Sequence, residues 1–116
     1  MQDFRDLDVW REAHALALNV HRVAKGIRGA TYVSLRSQLL RSATSVPANI
    51  VEGRAQFSDR EFARLLRIAA ASAAELEYHM IFSIDIEVIE KRDGDKLLAR
   101  VVIVRKMLHK LVTSLG

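Results

Sequence analysis

The chain has 116 residues, half of them hydrophobic, a formal charge of +4, one proline, five glycines and no cysteine. That length and apolar fraction suit one packed domain rather than a disordered tail. The lack of cysteine excludes disulfides, thiolate catalysis and Cys-based metal sites.

Arginine outnumbers lysine, and its planar fork suits phosphate, so the charge permits a polyanion partner without requiring one. "MQDFRDLDVW" opens the chain without a basic segment leading into an apolar run, so no secretory signal is expected. No run of about 18 apolar residues occurs, so neither a membrane span nor a membrane partner is expected, and the expected location is the cytoplasm. The spacing of Trp10, Ala13, Ala17, Val20, Ala24 and Ile27 predicts a first helix from about Asp6 to Ile27. In "KGIRGAT", Gly26 and Gly29 offer C-terminal caps. A second helix is predicted over about Ser34–Gly53, with Leu35, Leu39, Ala43, Val46 and Ile50 on one face. Pro47 falls inside it, lacks an N–H and presses on the Ala43 carbonyl, so a kink is expected near residues 43–46.

"FSDREF" starts the third helix: Ser58 takes the N-cap, Glu61 completes a capping box, and Phe57 with Phe62 forms a hydrophobic staple. Phe62, Leu65, Leu66, Ala69, Ala73, Leu76 and Met80 follow as its apolar face. "SIDIEVI" alternates as a strand would, but a lone strand has no partner, so it reads as a continuing or fraying helix. "KRDGD" predicts a turn with Asp93 or Asp95 as cap. A last helix then runs to about Leu115 through Leu97, Leu98, Val101, Val104, Leu108 and Leu111. No repeat or second domain is visible, so residues 1–116 predict a single all-α domain, an antiparallel up-down four-helix bundle.

On a helical wheel, Gln38, Ser45, Asn49 and Glu52 form a stripe beside the apolar face of the second helix. Ser72, Glu75 and His79 flank the apolar face of the third in the same way. Ser45, Asn49, Glu52, Ser72 and Glu75 are therefore read as a structural polar cluster at the core's edge, with ligand contact as the alternative. The small run Ala69–Ala74 would let a neighbouring backbone approach closely.

The blocks "FRDLDVW", "LRSQLLRSATSVPANIVEG", "SDREFARLLRIAAASAAELE" and "RKMLHKLVTSL" resemble the 23S rRNA intervening-sequence protein family over nearly the whole chain. Ser45, Val46, Asn49, Ile50, Glu52 and Gly53 match one family motif, with Val51 at its small position. Ile68, Ala69, Ser72, Glu75 and Leu76 match a second. The resemblance implies an antiparallel four-helix bundle that assembles into a five-fold ring, and it brings no enzymatic activity. Some family members are encoded within insertions in bacterial 23S rRNA genes, and relatives serve diversity-generating retroelements as nucleic-acid-binding accessory proteins. Three positions depart from the family pattern. Ala71 stands where glycine is usual, so the third helix is expected to pack slightly less closely there, and Glu87 also replaces a usual glycine, which leaves the end of that helix open. "IRGATYV" replaces an aromatic-proline turn.

No Glu-x-x-His occurs, Glu75 and His79 are four apart, and His14 and His21 lack a third ligand. No catalytic residues, metal site, cofactor or small-molecule substrate are expected. Arg60, Arg64 and Arg67 fall within about 60° on the third helix, and Arg36, Arg41 and Arg54 add positive charge, whereas residues 71–99 are acid-rich. Aromatics are only 6% of the chain, so backbone contact is the expected mode of nucleic-acid binding, not base reading. "VVIV" (Val101, Val102, Ile103 and Val104) turns through about 300°, and "MIFSI" at residues 80–84 does much the same. One core cannot cover all of these side chains, so a subunit interface is expected there. The expectation is a non-catalytic homo-oligomer that binds RNA or other nucleic acid. The alternative is an oligomeric protein-binding scaffold with no nucleic-acid role.

Overall fold

The computed structural model describes residues 3–116. It contains α1 (Asp8–Ala24), α2 (Val33–Arg54), α3 (Asp59–Asp85) and α4 (Lys91–Leu115), with short 3-10 turns at Phe4–Asp6 and Ala30–Tyr32. No strand occurs among the described residues. Each helix packs on the next, and α4 closes on α1. The 27 residues of α3 span about 40 Å at 1.5 Å each, which fits extents of 44 × 22 × 20 Å. The few residues between α2 and α3, or between α3 and α4, reach about 3.5 Å each at most and cannot return along a helix. Neighbouring helices are therefore antiparallel.

Leu39, Val46 and Ile50 of α2, Leu66, Leu76 and Met80 of α3, and Val101, Val104 and Leu108 of α4 have no exposed surface. Val20 joins them from α1, and Ile27 just beyond that helix is 4% exposed. The two fully buried polar side chains, Ser42 and Ser83, donate to carbonyls of the preceding turn. Ser42 Oγ reaches Gln38 O at 2.8 Å, and Ser83 Oγ reaches His79 O at 2.7 Å. A hydroxyl that hydrogen-bonds within its own helix offsets much of the cost of its burial. α2 runs unbroken through the buried Pro47.

Gly53 explains the end of "NIVEG". A Cβ there would lie 2.9 Å from Phe62 Cδ1 and 3.1 Å from Leu65 Cβ, so a side chain would wedge α2 from α3. Ser58 caps α3 by accepting from the Glu61 N–H at 3.2 Å, as the sequence predicts. The expected staple does not form: Phe62 turns inward and is buried, whereas Phe57 is wholly exposed outside the tight turn.

The alternating segment "SIDIEVI" is a helix end. Val88 N donates to Ser83 O at 3.1 Å and Glu87 N to Ile84 O at 3.0 Å, and Glu87 has φ +65°. These are the two crossed bonds and left-handed residue of a Schellman closure. It turns the chain so that Ile89 enters the core, 4% exposed. α4 starts at Lys91, earlier than expected, and its N-cap Glu90 makes no side-chain capping bond. Asp93 and Asp95 thus lie inside the helix and are not caps. Gly94 is buried there, with Ile84 packed so close that a Cβ would fall 2.4 Å from its Cδ1.

Candidate nucleic-acid interface

Because Phe62, Leu65, Leu66 and Ala69 turn inward, the 3.6-residue repeat sends residues 60, 64 and 67 outward. Arg60, Arg64 and Arg67 are all exposed on this face. Arg64 Nε donates to Glu61 Oε2 at 3.0 Å. Arg60 and Arg67 meet no carboxylate among the described residues, so their charges face solvent uncompensated.

The other three expected arginines lie elsewhere and have other engagements. Arg36 is half-buried and donates through Nη1 to Ile27 O at 2.8 Å and Gly29 O at 3.1 Å, tying down the α1–α2 connection. Arg41 Nη2 reaches Glu75 Oε1 at 2.7 Å and Gln38 Oε1 at 2.6 Å. Arg54 lies over the Phe62 ring, 5.7 Å from its centroid. Only the α3 trio forms one outward face.

The polar residues form a seam between α2 and α3. Ser45 Oγ and Ser72 Oγ share a hydrogen bond of 2.8 Å. Asn49 Nδ2 donates to Ser45 O at 2.8 Å and to its Oγ at 3.1 Å. Further along, Glu75 Oε1 accepts from Arg41 and lies 3.3 Å from His79 Nε2. The bond to His79 and the nearby Arg41 guanidinium hold the Glu75 carboxyl below its ordinary range, against a weaker opposing effect of burial. Glu52 departs from the expected cluster. It is exposed and its carboxylate has no partner among the described residues. The seam's polar groups are otherwise largely partnered within the chain, Ser45, Asn49, Ser72 and Glu75 among them.

The expected interface run divides in two. Val101 and Val104 have no exposed surface and belong to the subunit's own core, which corrects their assignment to an oligomer interface. Val102 is half-buried and Ile103 is 42% exposed. In "MIFSI", Met80 and Ser83 likewise turn inward while Ile81 and Phe82 stay exposed. Two apolar grooves also open on the surface. One, of about 500 Å³, lies between α1 and α2 around Trp10, Leu18, Leu40 and Pro47. The other, of about 480 Å³, lies beside Tyr32, Tyr78, Phe82 and Ile86.

A basic groove that linear reading missed lies between α1 and α4, where Arg22, Lys96 and Arg100 meet. The acid-rich character of residues 71–99 concealed it; the four-residue spacing of Arg92, Lys96 and Arg100 is the signal that reveals it. Among the described residues, no three His, Cys, Asp or Glu side chains gather as a metal site would need, and no helix is long and apolar enough to cross a membrane.

Four antiparallel helices around one core, with charged and apolar features on the outer faces, define a small all-helical protein whose distinctive chemistry lies on its surface. The chain belongs to the 23S rRNA-intervening sequence protein family, whose profile matches residues 5–110. A solved structure from Bacteroides thetaiotaomicron, described as a protein of unknown function from the S23 ribosomal protein family, is similar at 26% identity. The match has a TM-score of 0.84 and covers 90% of this chain and 97% of that one. No curated protein matches the chain.

Proposed function

We propose that this protein is a non-catalytic homo-oligomer that binds nucleic acid, RNA foremost, through the arginine face of α3. The observation that carries this reading is the exposed pair Arg60 and Arg67, with Arg64 between them and no carboxylate neutralising the outer two. Such a face contacts phosphates and does not read bases, since no exposed aromatic ladder accompanies it. Oligomerisation is supported by the two apolar grooves on different seams of the same subunit. Cyclic rings join unlike surfaces head to tail, and a ring of five follows the family resemblance. Each added subunit repeats the basic face, and linked weak contacts to a long polyanion strengthen one another by avidity.

The test is titration of the assembled protein against labelled single-stranded RNA over a salt series. Log affinity should fall with log salt at about 0.7 per phosphate contact. Changing Arg60, Arg64 and Arg67 together to Gln should flatten that slope by about 2. A protein that binds no RNA or DNA at low salt would overturn the reading. The scaffold alternative, supported by the same apolar grooves, would then take its place.

A further inference from the structure

We propose that the groove between α1 and α4 is a second phosphodiester-binding surface, which holds the backbone of a single RNA strand independently of the α3 face; this rests on the nucleic-acid reading above. The groove measures about 490 Å³. Arg22 enters it from α1, and Lys96 and Arg100 from α4, against a single lining carboxylate, Asp93. Of the three cations only Arg100 has an ion pair among the described residues, and it is a long one. Arg22 Nη1 donates to Asn19 Oδ1 at 2.5 Å, a neutral acceptor that orients the guanidinium and leaves its charge unspent. Lys96 has no ion pair among the described residues, and the nearest carboxylate to Arg100 is Glu12 at 3.8 Å.

The charges continue beyond the groove. Arg92, Lys96 and Arg100 recur every four residues on α4, about 6 Å apart along its axis. Lys25 caps the end of α1, three residues beyond Arg22. All five side chains are exposed. Evenly stepped cations along two helices match a polymer with evenly stepped phosphates better than they match one small anion. Leu97 and Val23 supply an apolar floor on which ribose carbons can rest. α1 and α4 form the most open of the four seams between helices, so a strand can enter without parting the core.

This surface is distinct from the α3 face. α1 and α3 stand diagonally across the bundle, without close approach of their backbones. Residues 60–67 lie near the end where α3 starts, whereas residues 19–23 and 93–100 lie near the opposite end of the 44 Å molecule. Contacts so far apart should add in free energy.

The experiment compares full-length protein, a groove variant (Arg22→Gln, Lys96→Gln, Arg100→Gln) and a charge-matched control (Arg5→Gln, Arg28→Gln, Lys106→Gln). Each is titrated with fluorescein-labelled oligouridine between about 50 and 200 mM salt. The groove variant should lower the salt slope by about 2 and low-salt affinity at least tenfold, while the control changes the slope by less than half as much. Equal slopes for groove variant and control, with RNA bound by the parent, overturn the groove and leave the α3 reading standing. No binding by the parent overturns both. Should the groove variant unfold, the parent protein decides. Oligouridine should then shield Lys96 from amine acylation more than Lys106, and equal labelling of the two lysines overturns the proposal.

Discussion

Glu87 holds a backbone angle that an L side chain adopts only at a cost. Its φ of +65° places Cβ against the following carbonyl, a penalty of about 1–2 kcal/mol that glycine escapes. Glycine gives back part of that gain through greater freedom in the unfolded chain, about 0.4–1 kcal/mol. Glu87→Gly should therefore stabilise the protein by about 0.5–1 kcal/mol, seen as a melting temperature higher by about 4 °C at fixed concentration. An unchanged or lower value would count against the Schellman closure. Glu75 makes a different prediction. Its carboxyl is held below the ordinary value of 4.5 by His79 and Arg41. A depressed acid contributes stability that is complete above its unfolded value and lost as pH falls through the folded one. Denaturation midpoints should drop as pH goes below 4.5, and Glu75→Gln should remove part of that drop. The carboxylate is partly exposed, so added salt should shrink the effect.

The turn between α2 and α3 depends on close approach more than on propensity. Replacing Gly53 by alanine gains helix propensity, about 1 kcal/mol at most. It also sets a Cβ 3.1 Å from Leu65 Cβ and 2.9 Å from the Phe62 ring. Leu65 Cβ is fixed to its backbone and cannot swing away, so the helices must part, at about 1–3 kcal/mol. The clash should win, and Gly53→Ala should lower stability by about 1 kcal/mol in denaturant titration. A stabilised variant would show that α2 and α3 have slack at this point. Other features of these helices were readable in advance. The Ser58 cap works through local geometry alone, and the apolar repeats of α3 and α4 correctly named the inward residues. The Phe57 staple and the Asp93 cap were not readable, since each depends on how a neighbouring helix occupies the space.

At the scale of the molecule, apolar grooves and basic faces share the described surface. Leu18 and Leu40 beside one groove, Tyr78 and Phe82 beside the other, and Ile103 on α4 all remain at least a third exposed, and apolar grooves of this kind mark interaction sites. Light scattering coupled to size exclusion should give about five times the subunit mass of 13.1 kDa. Leu40→Asp or Phe82→Asp should shift the protein toward smaller species. A 13.1 kDa species at micromolar concentration would defeat the assembly, and a dimer would defeat the ring alone.

Apolar periodicity determined the four helices, their order and most of their inward faces, because a helix must bury one stripe wherever its partners come from. The seam was legible in Ser45, Asn49, Ser72 and Glu75 for the same reason: three- and four-residue spacings place side chains on one edge. Which charge pairs with which was left to the tertiary structure. Arg36 and Arg41 looked equivalent to Arg60 and Arg67 along the chain, yet the folded protein commits the first two to a loop and a carboxylate and leaves the others open. Val101 and Val104 lay on the apolar repeat of α4 and also in the expected interface run with Val102 and Ile103; the packing of α4 decided between the two readings and gave the first pair to the core. The α1–α4 groove joins residues more than seventy positions apart. A repeat within one helix cannot encode such a meeting; only the docking of two helices brings those charges together.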